Sequence, residues 1–238
     1  MMQRTVVIAS FLSLAALTAR PAVALVSTNV PLNHWSYDAV EKLANYGLID
    51  SSMLTIKPVS RVEMARHIGR AMNALEHVEG SPEILESILE RLKEEFREEL
   101  IFIGIFDAPY SDSSLKPIED PYVSYLYAQD MPDLENRRGD VFRQGSNYRA
   151  GFASRARLFD RAAFYLHPEY ADSSQSDGDV DLIEGYGKVM VGALEIEAGR
   201  DSLWWGPGHH GSIIMSNNAQ PFTMVKVTNP QPLQLPWI

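Results

Sequence analysis

Cysteine is absent from the 238 residues, which excludes disulfides and thiolate metal sites. Long hydrophobic runs are lacking too. Past the N-terminus the longest, around Leu100 to Phe106, falls far short of the roughly 20 residues a spanning helix needs. Basic stripes are missing: 21 Lys and Arg face 31 Asp and Glu, a net charge of −10, so nothing could replace phosphate counterions and no nucleic-acid partner is expected. Carboxylates are plentiful, yet no pair sits in a recognisable acid–base setting, so the chain does not read as an enzyme. No cofactor is implied.

What is present starts with an export signal. In residues 1–24, Arg4 precedes the apolar run Thr5 to Leu17, and Ala22-Val23-Ala24 supplies small residues for cleavage. Losing Arg4 and Arg20 with that leader leaves 19 basic against 31 acidic residues, a charge of −12. Nine glutamates lie between Glu76 and Glu99, so one helical segment carries much of the excess.

From Asn29 to His77 the pattern is helical. Asn33-His34-Trp35-Ser36 opens a helix with Val40, Leu43 and Ala44 on one face, and Gly47 ends it. After Lys57-Pro58, Ser60 is an N-cap with Glu63 at the capping-box position, and Met64, Ile68, Ala71 and Leu75 form the buried stripe. His34 to Asp50 followed by Lys57 to Met72 resembles one S-layer homology repeat, in which Trp35, the Gly47-Leu48-Ile49 turn, Pro58, Arg61 and Glu63 hold the signature places. Ser60 and Val62 replace the more usual Thr and Ala. The resemblance implies a helical domain over 29–77 that binds peptidoglycan or a wall polymer, with Trp35, Arg61 and Glu63 as candidate contacts.

A helix over 81–106 follows, with Ser81 as its cap and Pro82 in its first turn. Leu85, Leu89, Leu92 and Phe96 repeat at 4-3-4 spacing, which fits a short coiled-coil seam between copies or one amphipathic helix on a neighbour. Asp107 to Pro121 reads as a linker. Beyond it the period becomes two. Tyr148, Ala150, Phe152, Ala156 and Leu158 face one way and Arg149, Gly151, Ala153, Arg155 and Arg157 the other. Ala162, Phe164 and Leu166 oppose Arg161, Tyr165, His167 and Glu169, and Leu194, Ile196 and Ala198 oppose Glu195 and Glu197. Transmembrane strands alternate this way, and so does a soluble sandwich with its apolar face inward. Connection lengths favour the first: after a strand from Tyr122 to Gln129, loops Asp130–Gly145, Ala171–Asp179 and Gly199–Pro221 are long, while Phe159-Asp160 and Gly192-Ala193 are tight. Short turns on the periplasmic side and long loops outside are the outer-membrane arrangement. Five or six strands are too few to close a barrel, so the chain is expected to be part of a longer one, the alternative being a barrel that closes between chains.

Gly199 to Phe222 is the most distinctive segment. Trp204, Trp205, His209, His210, Asn217 and Asn218 combine broad apolar rings with amide and imidazole groups, the mixture a carbohydrate site needs. Interface tryptophans and a Gly-Pro-Gly turn folding back into a lumen explain the same residues structurally. Adjacent histidines on an extended segment point to opposite faces, and without convergent partners no metal site is expected. Arg149, Arg155 and Arg157 suit an acidic polysaccharide through forked hydrogen bonds, or pair with Glu195 and Glu197.

Trp205-Gly206-Pro207-Gly208, Gly211-Ser212, Ser216-Asn217-Asn218-Ala219 and Pro221, with Gly199-Arg200 before them, resemble the capsule-assembly Wzi family from about Tyr122 to Ile238. His210 stands where many relatives have an acid. The resemblance implies an outer-membrane barrel acting as a lectin that attaches capsular or exported polysaccharide to the surface. The expectation is therefore an α+β chain: a small helical domain and helix, then the N-terminal strands (122–238) of an antiparallel transmembrane β-barrel. Its partners would be polysaccharide, wall polymer, outer-membrane lipid and, through 82–100, a second copy. The alternative is a porin carrying one S-layer homology repeat.

Overall fold

The computed structural model describes residues 25–49, 55–78, 80, 82–132, 137–206, 208, 211–212 and 214–230. The expected leader, the Ser81 cap and the last eight residues lie outside them. The elements are α1 (Ser36–Asn45), β1 (Ile56–Lys57), α2 (Arg61–Leu75), α3 (Glu83–Glu95), α4 (Arg97–Phe102), β2 (Ser114–Ala128), β3 (Gly145–Leu158), β4 (Ala162–Ser173), β5 (Ser176–Val191), β6 (Leu194–Asp201), β7 (Trp204–Trp205) and β8 (Phe222–Thr228).

The four helices share one apolar core. Tyr37, Val40 and Leu43 of α1 meet Met64, Ile68 and Ala71 of α2 and Leu85, Leu89 and Leu92 of α3, with Phe96 and Leu100 closing it. The Ser60 hydroxyl accepts from the Glu63 backbone N–H at 3.2 Å, as a cap should, while the Glu63 carboxylate turns to Arg66 at 2.7 Å. The expected single helix over 81–106 is two, broken at the fully buried Phe96 (φ −105°, ψ 22°). Its leucine seam is filled by α1 and α2 of the same chain, so it is not left for a second copy.

Six strands form one antiparallel sheet in the order β2-β3-β4-β5-β6-β8, with β2 and β8 at its edges. No closed barrel is formed among the described residues. The type of β-turn at Phe159-Asp160 needs two left-handed residues, and both adopt it (φ 52° and 55°). Two expected irregular stretches are strand instead. β2 begins at Ser114, paired with Arg157, inside the expected linker. Pro117 and Pro121 are tolerated because β2 is an edge strand whose register shifts twice, between Lys116 and Glu119 and between Glu119 and Tyr122. The expected loop Ala171–Asp179 is a hairpin in which Ser173 pairs with Ser176, so long and short connections do not strictly alternate. Gly199 (φ 141°) crosses β5 so closely that a Cβ there would lie 2.3 Å from the Gly185 carbonyl oxygen.

The faces of this sheet are inverted relative to a water-soluble one. Val123, Tyr148, Phe152, Phe164, Leu166, Val189 and Val225 are exposed, whereas Glu119, Arg157, Glu169, Glu184, Lys188, Glu195 and Glu197 are buried. The helical unit lies against this charged face. Asn29 is the pin: its N–H donates to Tyr186 at 2.8 Å, its amide donates to Glu197 (3.0 Å) and Asp201 (2.8 Å), and its side-chain oxygen accepts from Lys188 at 2.6 Å. The Val26 N–H donates to the Asp160 carbonyl at 3.2 Å, and β1 pairs with β7. The helical part is therefore docked on the sheet, not joined to it by a free linker.

Candidate functional site

The sequence directs attention to the inward arginines and the segment after β6. Period-two alternation puts Arg149, Arg155 and Arg157 on the covered face of β3, and each finds a carboxylate there. Arg149 meets Asp140 at 2.9 Å and Glu169 at 2.6 Å. Arg155 reaches Glu119 at 3.1 Å and Glu99 of α4 at 3.4 Å. Arg157 meets Asp160 at 3.2 Å and donates to the Ser111 carbonyl at 2.9 Å. Glu195 and Glu197, suggested partners on sequence grounds, are held by Lys188 instead (2.9 and 3.5 Å), with Lys226 also on Glu197 at 2.8 Å. The arginines are thus internally neutralised, as burial of a charge requires.

The segment after β6 does not run outward. It turns back toward the helical unit as β7, where Trp204 pairs with Lys57 and Trp205 with Ile56. The Trp205 N–H donates to the Met215 carbonyl (2.9 Å) and the Gly206 N–H to the Thr55 carbonyl (2.8 Å). The two tryptophans separate in environment. Trp204 is 6% exposed and its indole N–H donates to the Gly206 carbonyl at 3.1 Å, whereas Trp205 is 42% exposed. Asn217 is buried and Asn218 exposed. Their turn is clasped by the loop between β2 and β3: the Arg138 N–H donates to the Asn217 carbonyl at 2.7 Å, and Gly139 lies so close to Gln220 that a Cβ would come within 2.8 Å. Arg200 completes the clasp by donating to the Pro221 carbonyl at 2.9 Å. Trp205 and Asn218 are thus on the surface, while Trp204 and Asn217 brace it. His209 and His210, with Pro207, lie outside the described residues.

The wall-binding candidates also separate. Arg61 is buried, with its guanidinium on Glu99 (2.7 Å) and Glu95 (2.9 Å) and 4.4 Å over the Phe96 ring. Burial opposes its charge, but Glu99 and Glu95 outweigh that and hold its proton more firmly than usual. Burial likewise works against the Glu99 carboxylate, and Arg61 and Arg155 more than offset it, keeping its pKa below the usual value. Arg61 therefore pins α2 to α4. Trp35 is partly exposed, with Arg91 stacked 4.5 Å from its ring. Among the described residues no His, Asp and Glu cluster could hold a metal ion.

Residues 126–238 match the family model described as Capsule assembly protein Wzi. The Wzi match covers a little under half of the chain, beginning within β2 and including every other strand of the large sheet and the clasped turn. The helical unit lies outside the matched span. No curated protein and no solved structure matches.

Reasoning from sequence missed two groups on the covered face. One is Asn29 with Lys188 and its acids. The other joins Tyr122, Arg138, His167 and Glu169: the Tyr122 hydroxyl donates to Glu169 and lies 3.2 Å from His167, whose other ring nitrogen is 3.3 Å from Arg138. Inward alternation signalled Glu169 and His167. Nothing local signalled Asn29.

Proposed function

We propose that this chain acts at the outer membrane in capsule assembly, as part of a β-barrel protein that holds exported polysaccharide. The observation that carries the reading is the inverted sheet. Its exposed apolar positions have no partner among the described residues, and its covered face is charged, the opposite of what water selects. On β3 the apolar face runs from Tyr148 to Leu158, the roughly 9–11 residues a tilted strand needs to cross a bilayer. Tyr125 and Tyr148, 5.0 Å apart, stand with Tyr170 toward the long-loop end, where interface aromatics belong. The Wzi match supplies the capsule.

Within that reading Trp205, with Asn218 nearby, is the residue that stacks on sugar, and Trp204 is its brace. Because Arg149, Arg155 and Arg157 are already paired, they set the charge of the covered face and do not recognise the glycan. A diffusion pore is disfavoured, since the helical unit lies across the polar face that would line it. Attachment to the wall belongs to the helical unit, through Trp35 and not through Arg61. The test is polysaccharide retention in Trp205→Ala and Trp204→Ala cells, normalised to folded, heat-modifiable protein. Trp205→Ala should cost about 1–3 kcal/mol of glycan binding, the scale of one lost aromatic contact. Trp204→Ala should instead lower the amount of folded protein. Normal retention per folded molecule with Trp205→Ala would refute the lectin role.

A further inference from the structure

A cavity of about 560 Å³ opens where α3 and α4 meet β2 and β3, near the end of the sheet that carries the Phe159-Asp160 turn. Its size is that of ordinary ligand sites. Three of its charged side chains are engaged within the fold: Glu95 with Arg61, Lys116 with Glu119 (2.8 Å), and Arg155 with Glu99 and Glu119. They form the floor. Four others, Arg91, Glu94, Arg97 and Glu98, are exposed and make no ion pair among the described residues, although opposite charges stand beside one another.

The two arginines are nonetheless held. Arg91 lies 4.5 Å from the Trp35 ring centre and Arg97 lies 5.9 Å from that of Phe106. Arg91 over Trp35 keeps its N–H edge free for a forked bond to a carboxylate, and Arg97 stands at the outer limit of a cation–π contact with Phe106. Ligand classes can be sorted by charge. A polyanion would be repelled by Glu94 and Glu98, a simple cation by the two arginines, and a neutral sugar would leave four charged groups partly desolvated without partners. A ligand carrying both signs satisfies all four.

We propose that this cavity binds a short zwitterionic peptide, with carboxylates on Arg91 and Arg97, an ammonium group at Glu94 and Glu98, and an apolar portion against Trp35. Stem peptides of the cell wall present that chemistry. The proposal rests on the wall-attachment reading above and names its partner, so the two must be able to fail separately.

Full-length protein in detergent is incubated with intact sacculi and with glycan strands stripped of peptide by an amidase. Retention on intact sacculi only is the expected result, with release by a soluble stem tetrapeptide. The Arg91→Ala/Arg97→Ala double variant should bind about 10- to 100-fold more weakly, the scale of one charge-assisted hydrogen bond or more. Arg91→Lys/Arg97→Lys keeps the charge but not the fork, and should recover only part of the loss. Equal retention on stripped glycan would leave wall attachment standing and overturn the peptide site. Unchanged binding by the folded double-alanine variant would also overturn it. No retention on either material would overturn both.

Discussion

Leu166 sits near the middle of the apolar band of β4, four residues from both Ala162 and Tyr170, and is 49% exposed. Its neighbours across the ladder are Ser154 and Gly185, so an arginine there meets no steric obstacle. If the face meets water, Leu166→Arg replaces an exposed apolar group with a soluble one and should change stability by no more than about 0.5 kcal/mol. If it meets lipid near the bilayer midplane, the same change should cost about 2–4 kcal/mol, falling to about 0–1 near the interfaces. Leu158→Arg is the matched control, since Leu158 is similarly exposed (41%) but lies beside the Phe159-Asp160 turn. Urea titration of the full-length protein folded into phospholipid vesicles measures both. A cost at Leu166 well above that at Leu158 is the expected depth gradient. Equal small costs, or a higher soluble yield from Leu166→Arg, would refute the membrane assignment of this face.

The same structure predicts two further outcomes. Lys188 is 1% exposed between Glu195 and Glu197, so Lys188→Met leaves buried carboxylates short of a partner and should destabilise the fold by about 3–5 kcal/mol, read by the same titration. Acid should loosen the helical unit. The Glu99 pKa is depressed from 4.5, so its ion pairs stabilise fully above that value and are lost as the pH falls through the folded one. His34 and His67 are lowered from 6.5 chiefly by burial, so protonation of the unfolded chain already favours opening as the pH falls below 6.5. Proteolysis of α1–α4 should therefore rise from near pH 6 downward, and a rate that is flat to pH 4 would contradict the burial of His34 and His67 in their neutral forms.

Much of the fold was legible because its signals are local. Ser60 caps α2, and period-two alternation marks the faces of β3, β4 and β6. The failures share a cause. Pro117 and Pro121 read as linker because composition does not reveal that β2 is an edge strand. Ala171–Asp179 read as loop because the β4–β5 hairpin continues past the apolar band, where polarity ceases to mark irregular structure. Asn29 and Lys188 are 159 residues apart in sequence, and no pattern links them. The candidate site was half legible: the Gly199 to Phe222 segment stood out, but the pairing that buries Trp204 depends on β1, a two-residue strand with no periodicity to detect. Arg61 carried a signature, and its role is to pin helices because Glu95 and Glu99 approach it from a later segment.

The partition of capsular polysaccharide between cells and medium tests the proposed role most directly. In a strain lacking this protein, total polysaccharide should be unchanged and a larger share should appear in the medium, with wild-type protein restoring retention and Trp205→Ala failing to do so at equal folded amounts. Identical partition with and without the protein would contradict a role in holding capsule at the outer membrane.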